Sequence, residues 1–546
     1  MRKITIDILT FFFLLHAAFS MKAQDRVFVS TDRDSYLAGE WVFCSLFCTD
    51  GNCRLDDFSS VAYLELISGD GTVAEAKAGL FGGRGAGGFR IPSNTPTGNY
   101  RLIAYTARSQ AVPGGGPTLA VFNTTSTSRV AGGVEIVSQD AWKAPVLPAD
   151  RTEEGLSLSF PARLRQGQSA TLWIDAPEGA DLSLSVRHED YLVEPSGFRL
   201  SSFLSGTTAA PASRSGEYEG EIILANVEGL QGGNADSDQV TAYLSSAGDP
   251  SNVYIGRSDD SGHIRFYTDN IYGNRELVCE VVSMSGRSCH ISLASPFTHP
   301  DPGAIPKLGL SPAQREALVT RKASLREEPS LLDTLAEFLP RRRDLLLSGS
   351  PSIRYHLDDY TRFDSVREIC IEFVPELQFV RKDGRWRILM FVSDGTASRK
   401  YLQDNVLVLM DGVVLTDHGM LENFDAMLLE DIDIYRQAVT LGGVSYSGVV
   451  NFISKASYVT ALSFPENVRV IDFPGVSYPV AYLGAAPSGR DIRQLLYWHP
   501  ALEIPSGGNA RIQIKTPGYS GSFRIVAEGV DGKGRPLEAS WTFTVE

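Results

Sequence analysis

From Val27 to the last residues, the apolar side chains come in short runs that stop at turn-forming residues. Stretches 27–30, 41–48, 60–67 and 100–105 are strand-like. Ala38-Gly39, Gly69-Asp70-Gly71 and Pro96-Thr97-Gly98 break them up. Two further sets repeat the pattern: 156–160, 170–174 and 182–187, then 221–227, 239–244, 263–267 and 276–282. Such a chain has little freedom except to stack β-sheets, and at 546 residues it exceeds what one core can organise. The reading is therefore mostly β and multidomain. Gly-rich and Pro-rich stretches fit it: the tracts 113–117 and 123–128 read as a linker, and the small polar stretch 201–216 as a loop.

Helical signals begin late. Ser311 is a natural N-cap, Pro312 suits the first turn, and Gln314 completes a capping-box pattern. Helical character is expected to about residue 347, with breaks at Pro329 and Pro340 and a solvated basic run at Arg341-Arg342-Arg343. From Asp364 the pattern is mixed. Stretch 366–373 suits helix or strand, 385–392 and 406–409 suit strands, and Leu421, Phe424 and Leu428 have helical spacing. Asp411-Gly412 between apolar runs predicts a hairpin. Strands return at 432–435 and 449–453, and β character runs through 481–546. No internal repeat has a fixed period.

The first residues read as an export signal. Arg2 and Lys3 precede an apolar stretch centred on Phe11–Phe13, Leu14 and Leu15, and small residues Ala17, Ala18 and Ser20 follow. Asp7 and His16 interrupt the stretch, which is short for a membrane span. Cleavage is expected after Ser20, Ala23 or Gln24. No Cys stands near for a lipid anchor, and no later stretch reads as a spanning helix. The formal charge is −15; a leader with Arg2, Lys3 and Lys22 against Asp7 carries +2, which leaves −17 after cleavage. So acidic a surface repels phosphate backbones and argues against nucleic-acid binding. Cys44 and Cys48 share one face of a strand about 13 Å apart, which suits two buried thiols and not one disulfide. Cys279 and Cys289 flank a hairpin-like turn at Met284-Ser285-Gly286-Arg287, across which a disulfide could form in an oxidising compartment.

Two segments carry a family resemblance. Thr31-Asp32-Arg33, Tyr36, Gly39-Glu40, Phe89-Arg90-Ile91-Pro92 and Thr97-Gly98-Asn99-Tyr100-Arg101-Leu102 together resemble a macroglobulin-type β-sandwich of the alpha-2-macroglobulin superfamily. That family's thioester motif is absent here, which removes covalent protease trapping. Asp411-Gly412-Val413, then Ile432-Asp433-Ile434-Tyr435-Arg436, then Tyr446-Ser447-Gly448-Val449-Val450-Asn451 resemble the plug domain of TonB-dependent outer-membrane receptors of Bacteroidota-like bacteria. The 91 residues after Lys455 fall short of a receptor barrel, so the resemblance implies a plug fold reused as a soluble module. Stretch 217–291 more weakly resembles a carboxypeptidase-regulatory-like β-domain. The ending, from Leu495-Leu496-Tyr497-Trp498-His499-Pro500, looks like the terminal part of the same bacterial proteins. These likenesses imply macroglobulin/Ig-like β-sandwiches plus an α/β plug-like domain and a short helical linker. The implied division is a signal peptide 1–24, macroglobulin-like segments 25–125 and 150–200, a regulatory-like β-domain 215–295, a helical linker 305–362, a plug-like domain 363–460 and a C-terminal β-domain 481–546.

Catalytic patterns are weak. Gly83-Arg84-Gly85-Ala86-Gly87-Gly88 matches a dinucleotide fingerprint formally, but strand-like Phe89-Arg90-Ile91-Pro92 follows it where a helix is needed, so a flexible β-loop is expected. The stretch 443–448 misses the spacing of a nucleophile elbow. His188-Glu189-Asp190 and His356-Leu357-Asp358-Asp359 place acids beside a His without further metal ligands. Asp358-Asp359 with Asp364 lacks supporting glycosidase features. No catalytic, cofactor-binding or metal-binding residue is expected. The reading is a non-catalytic exported envelope protein, a protein-binding or scaffold module associated with outer-membrane or transport machinery in the periplasm, at the outer membrane or at the cell surface. Its partners would be envelope proteins, including an outer-membrane transporter complex. Candidate partner-binding turns hold Asp411, Gly412, Gly443, Tyr446 and Gly448. One rival is a nutrient-uptake accessory binding a glycan or peptide through exposed aromatics among Trp173, Trp386 and Trp498. Others are a hydrolase with a scattered site, or macroglobulin-style protease inhibition.

Overall fold

The computed structural model describes residues 25–50, 53–109, 115–125, 130–146, 148–152, 154–206, 216–229, 239–247, 251–269, 271–283, 288–325, 335–337, 349–393, 400–422, 424–456, 464–485 and 491–546. The expected leader, the run Arg341–Arg343 and the turn 284–287 lie outside them. The chain is mostly β, as its turn-punctuated pattern requires, with 52% of the described residues in strands and 8% in helices. It divides into two compact units. One joins 1–220, 297–340 and 476–546; the other joins 221–296 and 341–475.

The first unit opens with an eight-stranded sheet in the order Arg26–Thr31, Trp41–Thr49, Arg84–Arg90, Gly71–Phe81, Val61–Ser68, Gly98–Tyr105, Thr118–Phe122 and Ser35–Leu37. It encloses a core of Val29, Val42, Leu46, Leu64, Leu102 and their neighbours. Cys44 and Cys48 are thiols of that core, and burial raises both pKa values. The glycine-rich stretch is not a flexible loop. Residues 84–90 form a central, buried strand. A Cβ on Gly85 would stand 2.8 Å from the Gly79 carbonyl oxygen, and one on Gly88 2.7 Å from that of Val42, so the glycines permit close strand packing.

A second sandwich follows in the same unit. Its six-stranded sheet contains Asp181–His188 between Gly521–Val530 and Leu495–Glu503, with Pro536–Val545 beyond. Its three-stranded sheet is Ser157–Ser159, Ser169–Asp175 and Asn509–Lys515. Leu172, Ile174, Leu184, Ile512, Phe523 and Phe543 fill the space between them. Segments 150–200 and 481–546, separate in the sequence reading, thus share one core. Ser311 and Gln314 form the expected capping box, and the helix Arg315–Ser324 follows. Helix does not continue through 336–337: Ala336–Glu337 is a short strand paired with Val480–Ala481. The expected loop 201–216 begins instead with a short helix, Leu200–Ser205, whose Leu200, Phe203 and Leu204 are buried.

The second unit contains another sandwich. Its three-stranded sheet runs His263–Tyr267, Ile222–Glu228, His290–Leu293, and its four-stranded sheet Asn252–Arg257, Val240–Ser246, Asn274–Ser283, Val468–Pro474. The hairpin expected between Cys279 and Cys289 is not formed. The strand at Cys279 pairs with Val240–Ser246 and Val468–Pro474, whereas His290–Leu293, just after Cys289, pairs with Ile222–Glu228 in the other sheet. Both cysteines enter the core between the sheets as thiols, and burial pushes Cys279 up to about 12.

The rest of this unit is α/β. A five-stranded sheet runs Ile353–His356, Leu429–Tyr435, Gly448–Ser454, Val406–Met410, Val413–Val414, with the third and fourth parallel. The ambiguous stretch resolves as the helix Val366–Glu372, capped by Ser365 and Glu368. The helical spacing at 421–429 yields only a single turn at Gly419–Glu422 and a 3-10 turn at Ala426–Leu428 before the strand begins. Among the described residues no helix is long and apolar enough to cross a membrane.

Candidate functional site

The best-built site lies in the first unit, on the face of the six-stranded sheet opposite the sandwich core. Strand alternation selects the residues. Leu182, Leu184 and Val186, with Phe523, Ile525 and Ala527, enter the core. Ser183, Ser185 and Arg187, with Arg524, Val526 and Glu528, therefore project from the other face. Register then sorts them by chemistry. Ser183, Glu528 and Glu538 form one rung; Ser185, Val526 and Ser540 the next; Arg187, Arg524 and Thr542 the third. Trp498 extends the middle rung beyond Ser185. Acid and base rungs are four residues apart along a strand, about 13 Å between Cα atoms.

Most polar sheet faces meet water, but this one is covered. Phe28 and Ser30 of the first strand and the segment Glu194–Arg199 close over it, leaving a cavity of about 350 Å³. The acid and base rungs each set like charges directly opposite each other, which destabilises a sheet unless something compensates. The base rung is compensated by acids: Asp34 and Glu189 act on Arg187, and Glu189 on Arg524 as well. Arg187 donates to the Asp32 carbonyl at 3.0 Å and to Asp34 at 2.6 Å, and lies 3.6 Å from Glu189. Arg524, 4% exposed, donates through Nη2 to Ser540 at 2.9 Å, while its buried Nη1 has no hydrogen-bond partner. Burial lowers its pKa. On the acid rung, Glu538 accepts from the Ser201 N–H at 2.7 Å and Glu528 from the Ser30 hydroxyl at 2.8 Å. Glu528 is enclosed by protein but open to the cavity. Burial, reinforced by Glu538 and Asp34, pushes its carboxyl up to about 7. The cavity thus ends on an acid-balanced guanidinium pair at one side and, at the other, on a carboxyl that titrates near neutral pH.

Sequence reading missed this site, because its residues come from 28–34, 183–199 and 524–540. Of the residues it singled out, Trp498 lines the cavity and the others lie elsewhere. Asp411-Gly412 makes the expected two-residue turn with φ of 50° and 80°, but the turn is packed inward and not exposed. Asp411 accepts from the Ser454 N–H at 2.8 Å and hydroxyl at 2.7 Å, Gly412 N–H donates to Asn451 at 3.0 Å, and Ser251 abuts the Gly412 Cα. Tyr446 and Gly448 are buried; of that loop's candidates only Gly443 is exposed. Trp498 is buried and Trp386 half-buried beneath Arg367. Trp173 is 42% exposed, with the Arg511 guanidinium 4.1 Å from its ring centre. The His–acid pairs are occupied structurally. His188 is half-buried and held at about 4 by desolvation, Asp190 pairs with Arg321 at 3.2 Å, and His356 bonds Asp431 at 2.7 Å. Glu65, Glu75 and His299 also converge, with Glu65 already accepting from Tyr105, Thr298 and His299.

No family model matches the chain, and no curated protein does. Among solved structures it is similar to trypsin-activated alpha-2-macroglobulin from Escherichia coli, at 10% identity over 96% of this chain and 41% of that one, with a TM-score of 0.24. It is similar also to Salmonella alpha-2-macroglobulin reacted with methylamine, at 9% identity over 96% and 40%, TM-score 0.24. A third is the Yersinia pseudotuberculosis adhesin InvE, at 14% identity over 50% and 59%, TM-score 0.13. The chain spans about two fifths of the length of the macroglobulins.

Proposed function

We propose that this protein is an exported, non-catalytic binding scaffold of the bacterial envelope, whose sandwiches present a fixed surface to an envelope protein such as an outer-membrane transporter complex. The observation that carries this reading is how the first unit spends its buried charges: they fasten modules together. Arg84 stacks on Phe47 in the first sandwich and bonds Asp181 at 2.8 Å and the Pro500 carbonyl at 2.5 Å in the second. Arg187 reaches back to Asp34, and Arg321 on the capped helix binds Glu40 and Asp190. Buried, hydrogen-bonded pairs of this kind fix geometry more than they add stability. The leader-like first residues support export. The test is crosslinking and affinity purification of the full chain from the envelope of its native host. Repeated recovery of the same envelope protein is the expected result, and recovery of none overturns the proposal. A small-ligand accessory is a second reading, favoured by the cavity on the covered sheet face.

A further inference from the structure

We infer that Glu65, Glu75 and His299, with the Thr72 hydroxyl beside them, form a binding site for a divalent cation of the zinc class, on the face of the eight-stranded sheet opposite its Leu64 and Leu66 core. This goes beyond the scaffold reading and does not rest on it. Register makes the site. Glu65 on Val61–Ser68 stands directly opposite Glu75 on Gly71–Phe81, where like charges repel. Further along the same pair the register slips, so that Leu66 faces Ala74 and Ile67 faces Thr72. A bulge of this kind re-aims side chains, and the Thr72 hydroxyl comes to 3.0 Å from Glu65 Oε2. The segment that crosses this face supplies the base. Phe297 packs edge-on against Tyr63, and two residues later His299 takes a left-handed backbone with φ of 47°. Its Nδ1 lies 3.1 Å from Glu65 Oε2, 3.6 Å from Glu75 Oε1 and 3.2 Å from the Thr72 hydroxyl.

Charge, spacing and orientation each point to a metal. Among the described residues, the ion pairs of both glutamates go to His299. One imidazolium balances one carboxylate and leaves the other, whereas a divalent cation on a neutral imidazole balances both. Burial and the neighbouring Glu65 charge accordingly raise the Glu75 pKa. Zinc holds nitrogen and oxygen ligands at about 2.0–2.2 Å in a tetrahedron, which sets ligand atoms about 3.3–3.6 Å apart. The separations of 3.0, 3.1, 3.2 and 3.6 Å here need only tenths of an ångström of adjustment. Glu65 is fully buried, and its Oε1 accepts from the Tyr105 hydroxyl at 2.5 Å and from the N–H groups of Thr298 and His299 at 3.1 and 3.0 Å. Oε2 is thereby turned toward the site, as carboxylate ligands are commonly fixed from behind. An imidazole with carboxylates suits zinc and its neighbours better than magnesium or calcium. The exposed His299 ring gives the cation a way in, and the metal takes the place of a proton on Nδ1.

Calorimetric titration of zinc chloride into the full, untagged chain, stripped beforehand with a chelator, tests this. Zinc should bind saturably and raise the unfolding midpoint. His299→Ala and Glu75→Gln each remove a ligand and should weaken binding at least about tenfold, a loss expected even of a group one step behind the metal. Cobalt(II) in place of zinc should give the strong visible absorption of four-coordination, and His299→Ala should abolish it. Unfolding midpoints without zinc confirm that the variants are folded, and because the two substitutions are independent, one folded variant suffices. No saturable binding to the unaltered chain overturns the inference and leaves His299 an imidazolium shared by two glutamates. Binding that the folded variants retain in full overturns it equally, since the zinc would then sit elsewhere.

Discussion

At the scale of single residues, the same glycine chemistry has opposite consequences within one loop. A Cβ on Gly448 would collide with Met390 and stand 2.7 Å from the Tyr435 carbonyl oxygen, inside a sheet with no room to relax. Gly443, five residues earlier, faces open space and needs only its φ of 77°. Gly448→Ala should therefore cost about 1–3 kcal/mol by overpacking, and Gly443→Ala about 1 kcal/mol through its left-handed backbone. Urea unfolding of the two variants checks the order; equal losses would contradict the packing account. Glu528 makes a separate expectation about pH. Its folded pKa of about 7 lies above the ordinary 4.5, so the native state holds a proton that the unfolded chain releases between those values. The stability it contributes is complete below about 4.5 and is lost as pH rises through about 7. Thermal unfolding of Glu528→Gln against the unaltered chain should show the variant losing less stability from pH 5 to 8. A steeper loss in the variant would refute the assignment.

At the scale of elements, the helix Arg315–Ser324 shows what a sequence states locally and what it does not. Its start was legible, because Ser311, Pro312 and Gln314 carry their own instructions. Its purpose was not: Arg321, 2% exposed, bonds Glu40 at 3.0 Å through Nε, and also Ser35 and Asp190, all far away in the chain. Arg321 holds the Glu40 carboxyl below its ordinary value against a burial penalty that would raise it. Arg321→Met strands that charge and should cost about 3–5 kcal/mol. Lys should recover only part, lacking the two-pronged geometry. Chemical unfolding of both variants measures this, and a Met variant as stable as the original would rule the anchor out. The same divide runs through the strands. Alternating apolar residues announced Trp41–Thr49 and Asp181–His188. Of the Arg84–Arg90 strand only the end at Phe89-Arg90 was legible, since glycine carries no alternation. The hairpin at Cys279 misled because sequence neighbours were assumed to be sheet neighbours, when the pairing strands come from 222–228 and 468–474. The cavity was illegible for the same reason: each strand shows its polar face, but only register brings Glu528 beside Glu538 and Arg187 beside Arg524.

At the scale of the whole molecule, the chain leaves each unit before finishing it. The second unit is complete once Val468–Pro474 has joined its sandwich. The first unit still waits for Leu495–Glu503, Asn509–Lys515, Gly521–Val530 and Pro536–Val545, which supply Ile512, Ile514, Phe523, Ile525 and Phe543 to the core around Leu184. Each such side chain contributes about 1.5–3 kcal/mol when buried. Five together rival the whole stability of a domain, about 5–15 kcal/mol, so the second sandwich cannot stand without them. A chain ended after Gly475 should therefore keep the second unit folded and lose the second sandwich of the first. Hydrogen exchange resolves the two: amides of Val406–Met410, Gly448–Ser454 and Asn274–Ser283 should retain protection, while those of Asp181–His188, flanked on both sides by missing strands, should exchange freely. Supplying residues 476–546 as a separate polypeptide should restore protection at Asp181–His188, because the missing contribution is a set of contacts and not a covalent link. Protection of that strand in the shortened chain alone would mean that the first unit's core does not depend on the strands that close it.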